Sequence, residues 1–206
     1  MKDKVSTAFL VLFVTVSCVK REHGRLNEPA AEAGHDLITT VCLVATDSSS
    51  GVSRTYKFSD TDGPGGAGAI YGPGDLSQSD SVIVLAAGRT YSMELFFINE
   101  SVIPSDTVSE EVRQEGEDHL VYFDEGVATP FTSTHPFTTV LGDGMQIIYD
   151  DTDADSHGGV GLHTIWRTQG TSKARLRITL KHQPGGKGTF DNGETDLQVW
   201  FKREVR

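Results

Sequence analysis

A mostly β chain, folded as a single immunoglobulin-like antiparallel β-sandwich of about nine strands with one short helix, is what the sequence predicts. Two observations lead there. Short runs rich in Val, Ile, Thr, Tyr and Phe recur along the chain, separated by clusters of Gly, Asp, Ser and Pro, the spacing expected of a sandwich rather than of alternating strands and helices. Within the clearest of these runs the apolar residues alternate with polar ones, so that one face is buried and the other wet.

In chain order, Leu37 to Thr46 is apolar on both faces and reads as a central strand. Val52 to Ser59 places Val52, Tyr56 and Phe58 on one side against Ser53, Thr55 and Lys57. Ser81 to Ala86 and Thr90 to Asn99 form the next pair, joined by Ala87-Gly88-Arg89, and the second of them aligns Tyr91, Met93, Leu95 and Phe97. His119 to Phe123, Met145 to Tyr149, Leu162 to Arg167, Ala174 to Lys181 and Asp196 to Lys202 complete the set. In the run Lys173 to Lys181, Ala174, Leu176, Ile178 and Leu180 face in, while Arg175, Arg177 and Thr179 face water. One short helix is signalled by Thr107-Val108-Ser109-Glu110, which has the spacing of a capping box, and by Gly116 as a stop.

The N-terminus has a different character. Lys2 and Lys4 precede an apolar run from Val5 to Val16, which fits a secretory signal core and is too short to span a bilayer. Thr15-Val16-Ser17-Cys18 resembles a lipobox, so residues 1–17 read as a lipoprotein signal peptide and Cys18 as the lipidated residue. Secretion with cleavage nearby is the competing reading, because Thr15 stands where Leu is usual. Stable attachment needs more than one acyl chain, at roughly 0.8 kcal/mol per buried CH₂. Residues 18–36 are polar and lack a hydrophobic period, as a flexible tether does, with a reach of about 25 Å. Residues 37–206 then form the sandwich domain. Lipidation leaves Cys42 without a partner, as a small buried hydrophobe; a Cys18–Cys42 disulfide is the alternative.

The net charge of −11 argues against nucleic acid as a partner. Enzyme motifs are missing: there is no Gly-x-Ser-x-Gly, no His-Glu-x-x-His, no phosphate loop and no dinucleotide fingerprint. Two acidic clusters remain as candidate metal sites. Asp150, Asp151, Asp153 and Asp155 lie in one loop before Gly158 and Gly159, a pattern that can offer several oxygens to Ca²⁺. It is no EF-hand, since Ser156 and Leu162 occupy the positions of the required Gly and Glu; a turn of solvated Asp is the competing reading. Glu115, Asp118, His119 and His182 form the second set, suited to Zn²⁺ or another transition metal, against the alternative of a solvated acidic helix end.

The stretches LITTVCLVAT, FSDTDGPGG, LAAGRTYSMELFFINES, VSEEVRQEGEDH, YDDTDADSHGGVGLHT and LKHQPGGKGTFDNGETDLQVWF resemble, in that order, a group of small lipoproteins from Bacteroidetes-type bacteria often described as having a "type 1 periplasmic binding fold". The resemblance covers most of residues 37–202. It implies a lipid-anchored envelope protein of unknown function with no catalytic residue to carry over. The Gly-rich stretch Gly63 to Gly74 and the material around Phe131 to Gly144 are expansions relative to that pattern, and a member-specific role would lie there. The expectation is a non-catalytic interaction module of the cell envelope, held by its N-terminal lipid at the outer membrane and serving an outer-membrane protein partner such as a transporter. A metal-binding lipoprotein is the alternative, and an envelope glycan hydrolase a third.

Overall fold

The computed structural model describes residues 37–60, 70–71, 82–126, 131–132, 137–152 and 158–206. The expected signal peptide, Cys18 and the expected tether, together with Asp153, Asp155 and most of the Gly63 to Gly74 stretch, lie outside the described residues.

The described residues form a mostly β fold of two sheets and one short helix, as expected of a sandwich. The larger sheet has eight strands. Within it β1 (Thr40–Asp47) is flanked by β2 (Ser53–Ser59) and β5 (Thr90–Ile98). Beyond β2 lies β3 (Ile70–Tyr71). Beyond β5 come β10 (His163–Arg167), β9 (Gln146–Tyr149), β8 (Thr138–Val140) and β7 (Phe131–Thr132). The smaller sheet runs β4 (Val82–Leu85), β12 (Glu194–Val205), β11 (Ser172–His182) and β6 (His119–Asp124).

All nine expected strands are present, and three more, β3, β7 and β8, add to them. The added strands are two or three residues long, too short for alternation to announce them. A further difference concerns β4 and β5. They do not pair with each other: β4 joins the smaller sheet beside β12, and that pairing is parallel. The Ala87-Gly88-Arg89 connection therefore crosses between sheets. The outer edge of β4 is satisfied by a side chain, since the Tyr56 hydroxyl donates to Val84 O at 2.9 Å and accepts from Val84 N at 3.2 Å.

Between the sheets the inward residues of the larger one, Val41, Leu43, Met93, Leu95, Phe97, Ile147 and the fully buried Trp166, meet Ile83, Phe123, Leu176, Ile178, Leu180, Val199 and Phe201 of the smaller one. Phe123 stands edge-on to both Trp166 and Tyr149, at 5.8 and 6.0 Å between centroids, the arrangement aromatic rings prefer. Three expectations of exposure change. Thr179 is buried, because Phe190, from the connection between β11 and β12, folds back over that face and packs on Tyr122 (5.2 Å), Arg177 (5.0 Å) and Lys181 (5.7 Å). Val52 precedes β2 and is exposed. Cys42 is a free thiol, half-buried on the outward face of β1, where burial pushes its pKa up.

The helix α1 (Val108–Gln114) buries Val108, Ser109 and Val112. The expected capping box does not form, since Thr107 makes no side-chain cap. Ser109 instead turns its hydroxyl to the sheet, accepting from Phe97 N and donating to Phe97 O. The hydroxyl is thereby committed to the sheet backbone, and the helix is anchored to β5.

Candidate functional site

The acidic loop leaves the end of β9. Asp151 is placed by that strand, and its carboxylate turns back onto the backbone of residues 160–163. Oδ1 accepts from the amides of Val160 (3.2 Å) and Gly161 (2.9 Å), and Oδ2 from those of Gly161 (3.0 Å), Leu162 (2.7 Å) and His163 (3.0 Å). A carboxylate so surrounded has its lone pairs filled by N–H donors. The segment it holds is a bridge between the sheets: Val160 O accepts from Val121 N of β6, and Leu162 O from Leu95 N of β5, both at 2.8 Å. Gly161 at its centre has φ +95°, and a Cβ there would lie 2.8 Å from the Tyr149 ring and 2.9 Å from Val121 Cβ. Only glycine fits.

Asp150, the neighbouring candidate ligand, faces the other way. Alternation along the strand places it on the solvent side of the larger sheet, where its Oδ2 lies 3.2 Å from His163 Nδ1. The opposite ring nitrogen, Nε2, is 2.9 Å from the hydroxyl of Ser92. The two described members of the expected Ca²⁺ loop thus serve different partners.

The second candidate cluster is assembled in part. His119 and His182 are directly paired across β6 and β11, and their rings stack at 4.9 Å with 24° between planes. Glu115, at the end of α1, has its carbonyl 3.1 Å from His119 Nδ1 and its carboxylate 3.9 Å away. Asp118 is diverted: its carboxylate accepts from Gly185 N and its carbonyl from Gln183 N, holding the turn after β11. No spacing in the chain points to Asp196, whose carboxylate lies 3.8 Å from His119 Nε2 at the β-bulge between β11 and β12. Among the described residues no three of His, Cys, Asp and Glu converge so as to hold a metal ion.

Burial holds the His119 pKa below the ordinary imidazole range, against the opposing pull of the Glu115 carbonyl and Asp196. In the unfolded chain the same imidazole titrates near pH 6.5, at about the usual value. Between the two pKa values the unfolded state binds more protons, so stability rises with pH there. It is fully present above the unfolded value and declines as the pH falls through it. The melting temperature is expected to drop more between pH 7.5 and pH 5 for the native protein than for His119→Gln; equal drops would contradict the assignment.

At the opposite side of the sandwich a cleft of about 350 Å3 opens at the seam between the sheets, beside the β1–β2 hairpin and β4. Tyr56 and Tyr91 form part of its lining, and their hydroxyls are held by Val84 and by the amide of Ala86. Exposed Ser50, Val52, Arg54 and Arg206 form its rim. Volumes of this size lie within the range of ligand pockets. The lining brings two guanidinium groups, Arg54 and Arg206, against one carboxylate, Asp47, and this excess of positive side-chain charge favours an anionic guest.

No family model, no curated protein and no solved structure matches the chain. Among its described residues the chain has no helix long and apolar enough to cross a membrane.

Proposed function

We propose that the chain is a lipid-anchored protein of the bacterial cell envelope, attached at Cys18 to the outer membrane, and that its sandwich is a non-catalytic interaction module for an outer-membrane partner such as a transport protein. The signal and lipobox pattern of residues 1–18 supports the anchor. The seam cleft carries the interaction role: it is concave, partly apolar, and rimmed by Arg54 and Arg206 beside the exposed Val52. An acidic segment of a partner suits that rim by charge complementarity, which speeds encounter and sets specificity.

One experiment reads both halves of the proposal. The full-length protein carrying a photo-crosslinking amino acid in place of Val52 is expressed in its own envelope, irradiated, and purified from membranes for mass spectrometry. The expected result is an N-terminal peptide beginning at acylated Cys18, and a discrete crosslinked partner that Arg54→Glu removes. An unmodified Cys18 or a cleavage elsewhere would overturn the anchor. Crosslinks absent, or unchanged by Arg54→Glu, would overturn the role of the cleft.

A further inference from the structure

On the solvent face of the larger sheet three polar side chains stand in one hydrogen-bonded row. Ser92 projects from β5, His163 begins β10, and Asp150 comes directly after β9. The register sets Ile165 opposite Ser92 and His163 opposite Glu94, so Ser92 and His163 are diagonal neighbours on one face, within reach of a histidine side chain. Ser92 Oγ lies 2.9 Å from His163 Nε2, and His163 Nδ1 lies 3.2 Å from Asp150 Oδ2. The tautomer that satisfies both contacts carries its proton on Nδ1, toward Asp150, and leaves Nε2 free to accept the serine proton.

Those are the atom-to-atom roles of a nucleophilic serine, its base, and the carboxylate that orients the base, an arrangement recognised by geometry and not by chain order. The row is open to solvent, and His163 and Asp150 are partly exposed. Beside it on the same face lie the half-buried Val44, Phe96, Ile148 and Ile165, an apolar surface along which an acyl chain can lie.

We propose that Ser92 is a reactive nucleophile that accepts an acyl group from activated esters or thioesters. Ser92 Oγ attacks the carbonyl carbon as its proton passes to His163 Nε2, and Asp150 steadies the resulting imidazolium through Nδ1. The bond from the carbonyl carbon to the leaving oxygen or sulfur then breaks, and the leaving group takes the proton from His163. The products are an ester at Ser92 and a free alcohol or thiol.

The same geometry limits the rate of acylation and the fate of the ester. Ser92 and His163 sit in strands paired on both sides, whose amides are committed to the ladders. Among the described residues no strand amide beside Ser92 is left for an oxyanion, and each such donor is worth roughly a hundred- to a thousandfold in rate. Acylation is therefore confined to good leaving groups, and the ester once formed is hydrolysed slowly. The protein is acylated about once and stops, which is a modification site and not a turnover catalyst. This reactivity depends on neither the lipid anchor nor the seam cleft.

The test uses the whole protein with p-nitrophenyl butyrate and, separately, a fluorophosphonate, with intact mass and peptide mapping as the readouts. The expected result is a burst of about one p-nitrophenolate per chain, little release afterwards, and a single adduct on Ser92 with either probe. Ser92→Ala abolishes both, and His163→Gln and Asp150→Asn each slow labelling at least tenfold. Asp150→Asn changes only an exposed contact, so it guards against His163→Gln simply failing to fold. No adduct, an adduct on another residue, labelling as fast in Asp150→Asn as in the native chain, or sustained turnover past one equivalent would each overturn the proposal.

Discussion

Replacing Arg203 by alanine is expected to destabilise the sandwich by roughly 3–5 kcal/mol and to lower its melting temperature by roughly 10 °C. Arg203 lies on the inward face of β12 with its side chain fully excluded from solvent. Its guanidinium reaches Asp143 at 2.6 Å, in the turn before β9, and Glu125 at 2.9 Å, just after β6. Asp143 also accepts from the Ser172 hydroxyl, and Glu125 from the amide of Gly142. One cation thus joins the smaller sheet to a turn of the larger one. Removing it leaves two half-buried carboxylates facing each other with no cation between them, which costs more than the net worth of the pair.

The same cluster sets a dependence on acid. Burial pushes the Asp143 carboxyl up, but Arg203, the Ser172 hydroxyl and the Met145 amide together outweigh it and leave the pKa below the usual carboxylate value. The stabilisation is present above the unfolded pKa of about 3.9 and is lost as the pH falls through the lower, folded value. Chemical unfolding at pH 7 measures the main effect. Adding Asp143→Asn and Glu125→Gln to Arg203→Met should recover much of the loss, because the buried charges then vanish together. An Arg203→Ala protein within about 1 kcal/mol of the native one would contradict the account.

Alternation along the chain makes the strands legible, since it reports which face of a strand is buried. It does not report which strand lies alongside, which is why β4 reads as a strand and yet with the wrong neighbour: its partner β12 comes from the far end of the chain, and Tyr56 of β2 closes its other edge. Arg203 is within reach of the same reasoning. Val199, Phe201, Arg203 and Val205 continue one inward parity, but a strand taken to end at Lys202 stops short of it.

The polar sites are legible as composition and not as partnership. His119 and His182 belong together because β6 and β11 set them side by side. Asp196 escapes the reading because a bulge between Leu180 and Lys181 shifts the register of β12 at that point, and no pattern of residue types marks it. Ser92 and His163 are 71 residues apart. Each reads alone as an outward polar residue, and their row exists only through the order of β5, β10 and β9.

The acidic loop supplies the other large effect. Asp151→Ala is expected to cost at least about 3 kcal/mol, since a hydrogen bond to a charged group contributes about 1.5–3 kcal/mol and four amides lose theirs together, with a fall of at least roughly 6 °C in melting temperature. The loss reaches beyond the loop. Freed from Asp151, residues 160–162 no longer hold the outer edge of β6 through Val121, and that edge strand is exposed to pairing with other chains. Aggregation on heating should accompany the lower melting temperature. Asp150→Ala makes the contrasting case, because it loses only an exposed contact to His163, worth less than about 1 kcal/mol. Melting in two buffers also separates the clamp from Ca²⁺ binding. If Asp151 acts on the backbone, the gap between Asp151→Ala and the native protein is the same in chelator and in excess Ca²⁺. If Asp151 were a ligand, chelator would bring the native protein down to the variant and close the gap.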